Sequence, residues 1–70
     1  MVMNLTFETE LEDDGRWLAE VPELPGVMAY GMTKREAMMK AEVLALRVIA
    51  ERLDHAEMGP IDVRITVAAE

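Results

Sequence analysis

Residues 2–11 alternate between two faces. Met3, Leu5, Phe7, Thr9 and Leu11 fall on one, and Val2, Asn4, Thr6, Glu8 and Glu10 on the other, the period-2 pattern of a half-buried strand. Glu12-Asp13-Asp14-Gly15 follows, and Asp-Gly is a strong hairpin dipeptide because both residues tolerate positive φ. From Arg16 to Val21 the alternation resumes, with Trp17, Ala19 and Val21 on one side and Leu18 and Glu20 on the other. These two runs predict a β-hairpin. Pro22-Glu23-Leu24-Pro25-Gly26 then breaks the pattern, since each proline removes a backbone donor and biases the preceding residue toward extended backbone. Val27 to Tyr30 predicts a short third strand that Gly31 ends.

Thr33-Lys34-Arg35-Glu36 reads as a capping box: the Thr33 hydroxyl can accept from the Glu36 amide, and the Glu36 carboxylate can reach back to the Thr33 amide. A helix is therefore predicted from Lys34 to about Asp54, with Gly59-Pro60 forbidding continuation. Ile61, Val63, Ile65 and Val67 alternate with Asp62, Arg64 and Thr66 and predict a last strand. The order is β-β-β-α-β in one domain spanning residues 1–70, with no linker, repeat or low-complexity segment.

The helix carries the most informative pattern. At about 100° per residue, Glu36, Lys40, Arg47, Glu51 and Asp54 share one polar stripe roughly 60° wide. Leu44, Ala37, Val48, Ala41, Ala45, Met38 and Ile49 make one apolar face. Leu53, Leu46, Met39, Ala50 and Val43 make a second, interrupted by Glu42. One sheet face cannot cover both. Met39, Val43, Leu46, Ala50 and Leu53 are therefore expected to meet another copy or a partner, in a homodimer or higher oligomer. Size supports this: a 70-residue chain buries only about 60% of the surface it exposes when unfolded, and it has no cysteine to staple it.

Hydrophobic residues at 51% and charged residues at 30% place the chain among globular domains. The formal charge of −7 argues against binding a phosphate backbone, and so against direct DNA binding, and favours a basic partner. No apolar run approaches the roughly 20 residues of a membrane span. The opening MVMNLTFETE has neither the positive region nor the apolar core of a secretory signal. A cytoplasmic location is expected.

Candidate chemistry is sparse. Glu8, Glu10, Glu36, Glu42 and Asp62 are the carboxylates that could hold a divalent cation, because this element order matches the opening part of a ribonuclease H fold. Glu8 and Glu10, however, alternate away from Leu5 and Phe7, toward solvent. Glu12, Asp13 and Asp14 lack the ligand spacing of a calcium loop and read as a turn. His55, the single histidine, suits the helix C-terminus. Serine and cysteine are absent, which removes the common nucleophiles. Trp17 and Tyr30 could stack on bases, but the first 24 residues carry one base, Arg16, against seven acids. No catalytic residue, metal or cofactor is expected.

Asp14-Gly15 with Trp17 and Ala19, then Glu20-Val21-Pro22-Glu23-Leu24-Pro25-Gly26, then Gly31 and Thr33, and Glu36-Ala37 with Ala41 and Glu42, resemble the HicB-type antitoxin family over about residues 3–53. Val27 stands where the family often has cysteine, and Met32 where it usually has Asp or Asn before the capping Thr. Typical members continue into a DNA-binding domain; no C-terminal DNA-binding domain is expected here. The resemblance implies an α+β, partial ribonuclease H-like fold, with one helix on a four-stranded mixed sheet whose fourth strand lies beside the first. It implies a homodimer or higher oligomer. It also implies that the protein neutralises a small basic HicA-type, mRNA-cleaving toxin by covering its RNA-binding surface. Glu8, Glu10, Glu12, Asp13, Asp14 and Trp17, with the loop residues Pro22, Glu23, Leu24 and Pro25, are the expected partner-binding residues. Two alternatives remain: an oligomeric scaffold without a toxin, and a vestigial divalent-metal nuclease.

Overall fold

The computed structural model describes residues 2–55, 60 and 62–67. Five elements follow one another: β1 (Val2–Leu11), β2 (Trp17–Glu20), β3 (Met28–Gly31), α1 (Lys34–Asp54) and β4 (Asp62–Val67). The strands form one sheet in the order β3-β2-β1-β4. β1 is antiparallel to β2, and β2 to β3, while β4 runs parallel to β1. The fold is therefore the expected α+β arrangement of one helix on a four-stranded mixed sheet. Gly59 and Ile61, expected to stop the helix and begin the last strand, lie outside the described residues.

β1 is long because it serves two neighbours. Val2 to Phe7 register with β4, and Glu8 to Leu11 with β2. The turn between β1 and β2 closes with Gly15 N–H donating to the Glu12 carbonyl at 3.0 Å and Glu12 N–H to the Arg16 carbonyl at 2.8 Å. Gly15 supplies the positive φ of 88° that this turn requires.

The Pro loop is folded on itself. Leu24 N–H donates to the Val21 carbonyl, Val27 N–H to the Leu24 carbonyl, and Val21 N–H to the Val27 carbonyl, all at 3.0–3.1 Å. Val27 is thereby tied into the loop, and β3 begins one residue later than the apolar run suggests. Val21, Leu24 and Val27 are buried.

Thr33 caps α1 as its sequence position predicts: its hydroxyl accepts from Glu36 N–H at 3.0 Å. The reciprocal bond differs from expectation, because the Glu36 carboxylate takes the Met32 N–H at 2.8 Å instead of the Thr33 amide. α1 buries Ala37, Ala41, Ala45 and Ile49. Three alanines on the inner ridge let the helix lie close to the sheet. Gly31 permits the closest approach, since a Cβ there would sit 2.5 Å from the Ala37 backbone nitrogen.

The core joins Leu5, Phe7, Ala19, Val21, Leu24 and Val27 to that ridge. α1 packs on β3, β2 and, more thinly, β1, while β4 lies outside its footprint. The molecule is correspondingly long, 40 × 21 × 16 Å.

Candidate functional site

The sheet presents two unlike faces. On the helix side are Met3, Leu5, Phe7, Thr9, Trp17, Ala19 and Ala29, all buried or half-buried. The other, outer face carries Glu8, Glu10, Leu18, Glu20, Met28 and Tyr30. Strand register sets these in rows: Glu10 faces Leu18, which faces Tyr30, and Glu8 faces Glu20, which faces Met28. Two carboxylates thus stand directly opposite each other. Like charges in that position destabilise a sheet.

Arg16 lies at one end of this face. Its guanidinium sits 4.3 Å from the Tyr30 ring centroid and its Nε donates to Asp14 Oδ2 at 2.7 Å. Arg16 N–H also donates to Asp14 Oδ1 at 3.0 Å. That backbone bond, seconded by the guanidinium, holds the Asp14 carboxyl below its ordinary range. The Arg16 guanidinium is therefore committed to the hairpin tip and to Tyr30. Leu18 is buried beneath this rim, while Met28 and Tyr30 remain exposed.

At the other end, Glu23 meets β1. Thr6 N–H donates to Glu23 Oε1 at 2.9 Å, which lowers the pKa of that carboxyl. The register of β1 with β2 would place Pro22 opposite Thr6. Glu23 thus supplies a side-chain acceptor just where the β1–β2 pairing ends. Of the four loop residues expected to meet a partner, Pro22, Glu23 and Pro25 are exposed. Leu24 is 1% exposed and anchors the loop in the core; it faces inward, away from any partner.

Trp17 is also set apart from the acids. It is half-buried on the helix side, packed against the core, with Lys34 Nζ 6.0 Å from its ring centroid. Glu8 and Glu10 share the outer face, whereas Asp13 and Asp14 are exposed on the hairpin tip and Glu12 is half-buried there. Glu20 belongs with Glu8 and Glu10, although the sequence marks it only as part of the family resemblance and not as a partner-binding residue. Its signal was present: centring the hairpin on Asp14 pairs position 20 with position 8.

The nuclease reading needs a strand carboxylate to meet a helix carboxylate. Glu8 and Glu10 point away from the helix, so the sheet separates them from Glu36 and Glu42. Among the described residues no group of three His, Asp or Glu side chains could hold a metal ion, and the Asp62 carboxylate lies outside what is described. His55 ends α1, with its N–H donating to the Glu51 carbonyl at 3.0 Å.

The second apolar face of α1 is open. Met39, Val43, Leu46, Ala50 and Leu53 are all exposed, and Ala50 and Leu53 line a shallow hollow with Glu51 and Asp54. No helix among the described residues is long and apolar enough to cross a membrane. Comparison with known protein families, with curated proteins and with solved structures finds no match.

Proposed function

We propose that the protein is a binding module that takes a small basic protein on the outer face of its sheet. The observation that carries this reading is the opposed pair Glu8 and Glu20, flanked by Glu10 and by exposed Met28 and Tyr30. The arrangement costs folding energy, and a cation from a partner would offset it. The apolar side chains beside it would add contact area, and the net charge of −7 would speed encounter with a basic surface.

The resemblance to HicB-type antitoxins narrows the partner to a HicA-type mRNA-cleaving toxin. Neutralisation would follow from occupancy: carboxylates on the basic surface that RNA needs exclude RNA by charge and by volume. Pro22, Glu23 and Pro25 extend the acidic face at one end, and Asp13 and Asp14 at the other.

The test is co-expression with the product of an adjacent gene encoding a small basic protein. A complex that rescues growth, and that Glu8→Lys with Glu10→Lys breaks, supports the reading. A toxin left active by the intact chain would refute it. A second reading, an oligomeric scaffold without a toxin, is favoured by the open apolar face of α1. It predicts a normal oligomer and no basic partner in the same experiment.

A further inference from the structure

The hairpin tip holds a reactive pair of residues and a guard upon it. Among Asp13, Asp14, Asp54 and Asp62, only Asp14 is followed by glycine, and Asn4 precedes Leu5. The amide nitrogen of the next residue can attack an aspartyl carboxyl and close a five-membered ring. A side chain on that residue obstructs the approach, and glycine has none. The space at Gly15 is open, since a Cβ there would meet nothing within 4 Å. Asp14 is exposed as well.

The turn brings the two groups together. Asp14 Oδ1 accepts from Arg16 N–H at 3.0 Å, which folds the side chain forward over the Asp14–Gly15 peptide. Three features oppose reaction. Arg16 Nε donates to Asp14 Oδ2 at 2.7 Å, so both carboxylate oxygens are engaged. The Arg16 backbone N–H, seconded by the guanidinium, holds the carboxyl below its ordinary range and so ionised, whereas ring closure needs the neutral acid. Gly15 N–H is donated to the Glu12 carbonyl at 3.0 Å, which occupies the nucleophile too. The guard is loose, however. The Arg16 and Asp14 side chains are 47% and 53% exposed, and an exposed ion pair is weak and screened by salt.

We propose that Asp14 is a modification site, converting spontaneously to isoaspartate, and that Arg16 sets the rate by holding its carboxylate. The Gly15 nitrogen bonds to the Asp14 carboxyl carbon. One carboxyl C–O bond breaks, and its oxygen leaves as water with the amide proton and the proton of the acid. Water then opens the cyclic imide. Addition at the side-chain carbonyl restores Asp14. Addition at the main-chain carbonyl gives isoaspartate, with the chain running through the former side chain and a free carboxylate on Cα. One water leaves and one returns. The product lengthens the main chain of the turn by one carbon and moves the carboxylate that Arg16 grips. Arg16 also lies 4.3 Å from the Tyr30 ring centroid, so loss of its anchor reaches the outer face of the sheet. The reaction itself is independent of what that face binds.

The test incubates the full chain alone at neutral pH and physiological temperature. Electron-transfer fragmentation reads isoaspartate at each position, and methyl transfer by an isoaspartyl methyltransferase gives a second readout. Isoaspartate should accumulate at Asp14 and not at Asp13, Asp54 or Asp62. Arg16→Gln should raise the rate several-fold with the Gly15 amide still protected from hydrogen exchange, and Arg16→Lys should fall between. Added salt should speed the unaltered chain and leave Arg16→Gln unchanged. Asp14→Glu, which would need a six-membered ring, should abolish the signal. In denaturing urea the unaltered chain and Arg16→Gln should react alike, because the guard exists only in the folded turn. No isoaspartate at Asp14, equal rates for the two folded chains, a rise that comes with loss of Gly15 protection, or a difference that persists in urea would each overturn the proposal.

Discussion

The two ends of the sheet are built from the same alternating pattern and meet opposite fates. β1, β2 and β3 lie under α1, and Met3, Leu5, Phe7, Thr9, Trp17, Ala19 and Ala29 on their helix side are buried or half-buried, with Leu11 at the hairpin end exposed. β4 carries an equally regular apolar set, and Val63 and Ile65 stand exposed beside Met3 and Leu5. Burial here is decided by where the helix lands, and strand patterning only makes a residue eligible for it. The sharpest break of this comparison is a pair of truncations. Phe7→Ala, at the fully buried end, should cost about 3–5 kcal/mol. A 70-residue domain holds only about 3.5–10 kcal/mol in all, so this variant should lose about a third of that stability or more. Ile65→Ala should cost about 1 kcal/mol or less. Denaturant titration reads both, and equal losses would erase the distinction.

The position of the helix is itself set by Gly31, where β3 and the first turn of α1 come closest. Gly31→Ala places a carbon 2.5 Å from the Ala37 nitrogen, and the obstacle is backbone, which cannot rotate away. The variant should lose about 1–3 kcal/mol. Thermal unfolding measures the loss. A neutral outcome would mean that α1 slides, and that its footprint is less fixed than the contrast between the two ends requires.

These elements were unevenly legible in the sequence. β1 was read to the residue, and α1 at its start with its end placed near Asp54, because local signals bound them: ten alternating positions in one, Thr33 at the start of the other. β3 shifted because Val27 answers to the backbone bonds of the Pro loop, which no propensity encodes. Glu36 found Met32 because the acceptor it satisfies depends on how the chain enters the cap. Leu24 looked like a surface residue between two prolines, and the same loop turns it into the core. The open seam of α1 was visible as surplus apolar arc. The bare strip of β4 was not, because it depends on the lateral placement of a helix across four strands.

Glu23 joins the two ends, bonding β1 at Thr6, within the segment that pairs with β4. The Thr6 N–H lowers its pKa, and Met32 N–H and Lys40 do the same for Glu36. A carboxyl whose folded pKa is depressed contributes its stability above the ordinary carboxylate range, near pH 4 to 5, and loses it as pH falls through the lowered folded value. Stability should therefore decline in acid. Glu23→Gln keeps an acceptor but no charge, and should shallow that decline while lowering neutral stability by less than about 1 kcal/mol. Urea midpoints between about pH 3 and 7 would show it. A profile identical to that of the unaltered chain would mean that the link between loop and strand is not held by charge.

The smallest expected effect has the opposite sign and separates the folding of the outer face from its use. Glu8 and Glu20 are direct neighbours across β1 and β2, and neither is needed in the core. Glu20→Lys turns a repulsive cross-strand pair into an attractive one, which should raise stability by about 0.2–1 kcal/mol. The same lysine would meet a basic partner with like charge. A face kept for binding should therefore gain stability and lose affinity together, the affinity loss shrinking as salt is added. A face whose carboxylates serve only solubility would show the first change without the second. Glu8→Lys reports on the same pair from the other strand, and agreement between the two variants would assign the effect to the opposed carboxylates rather than to either side chain alone.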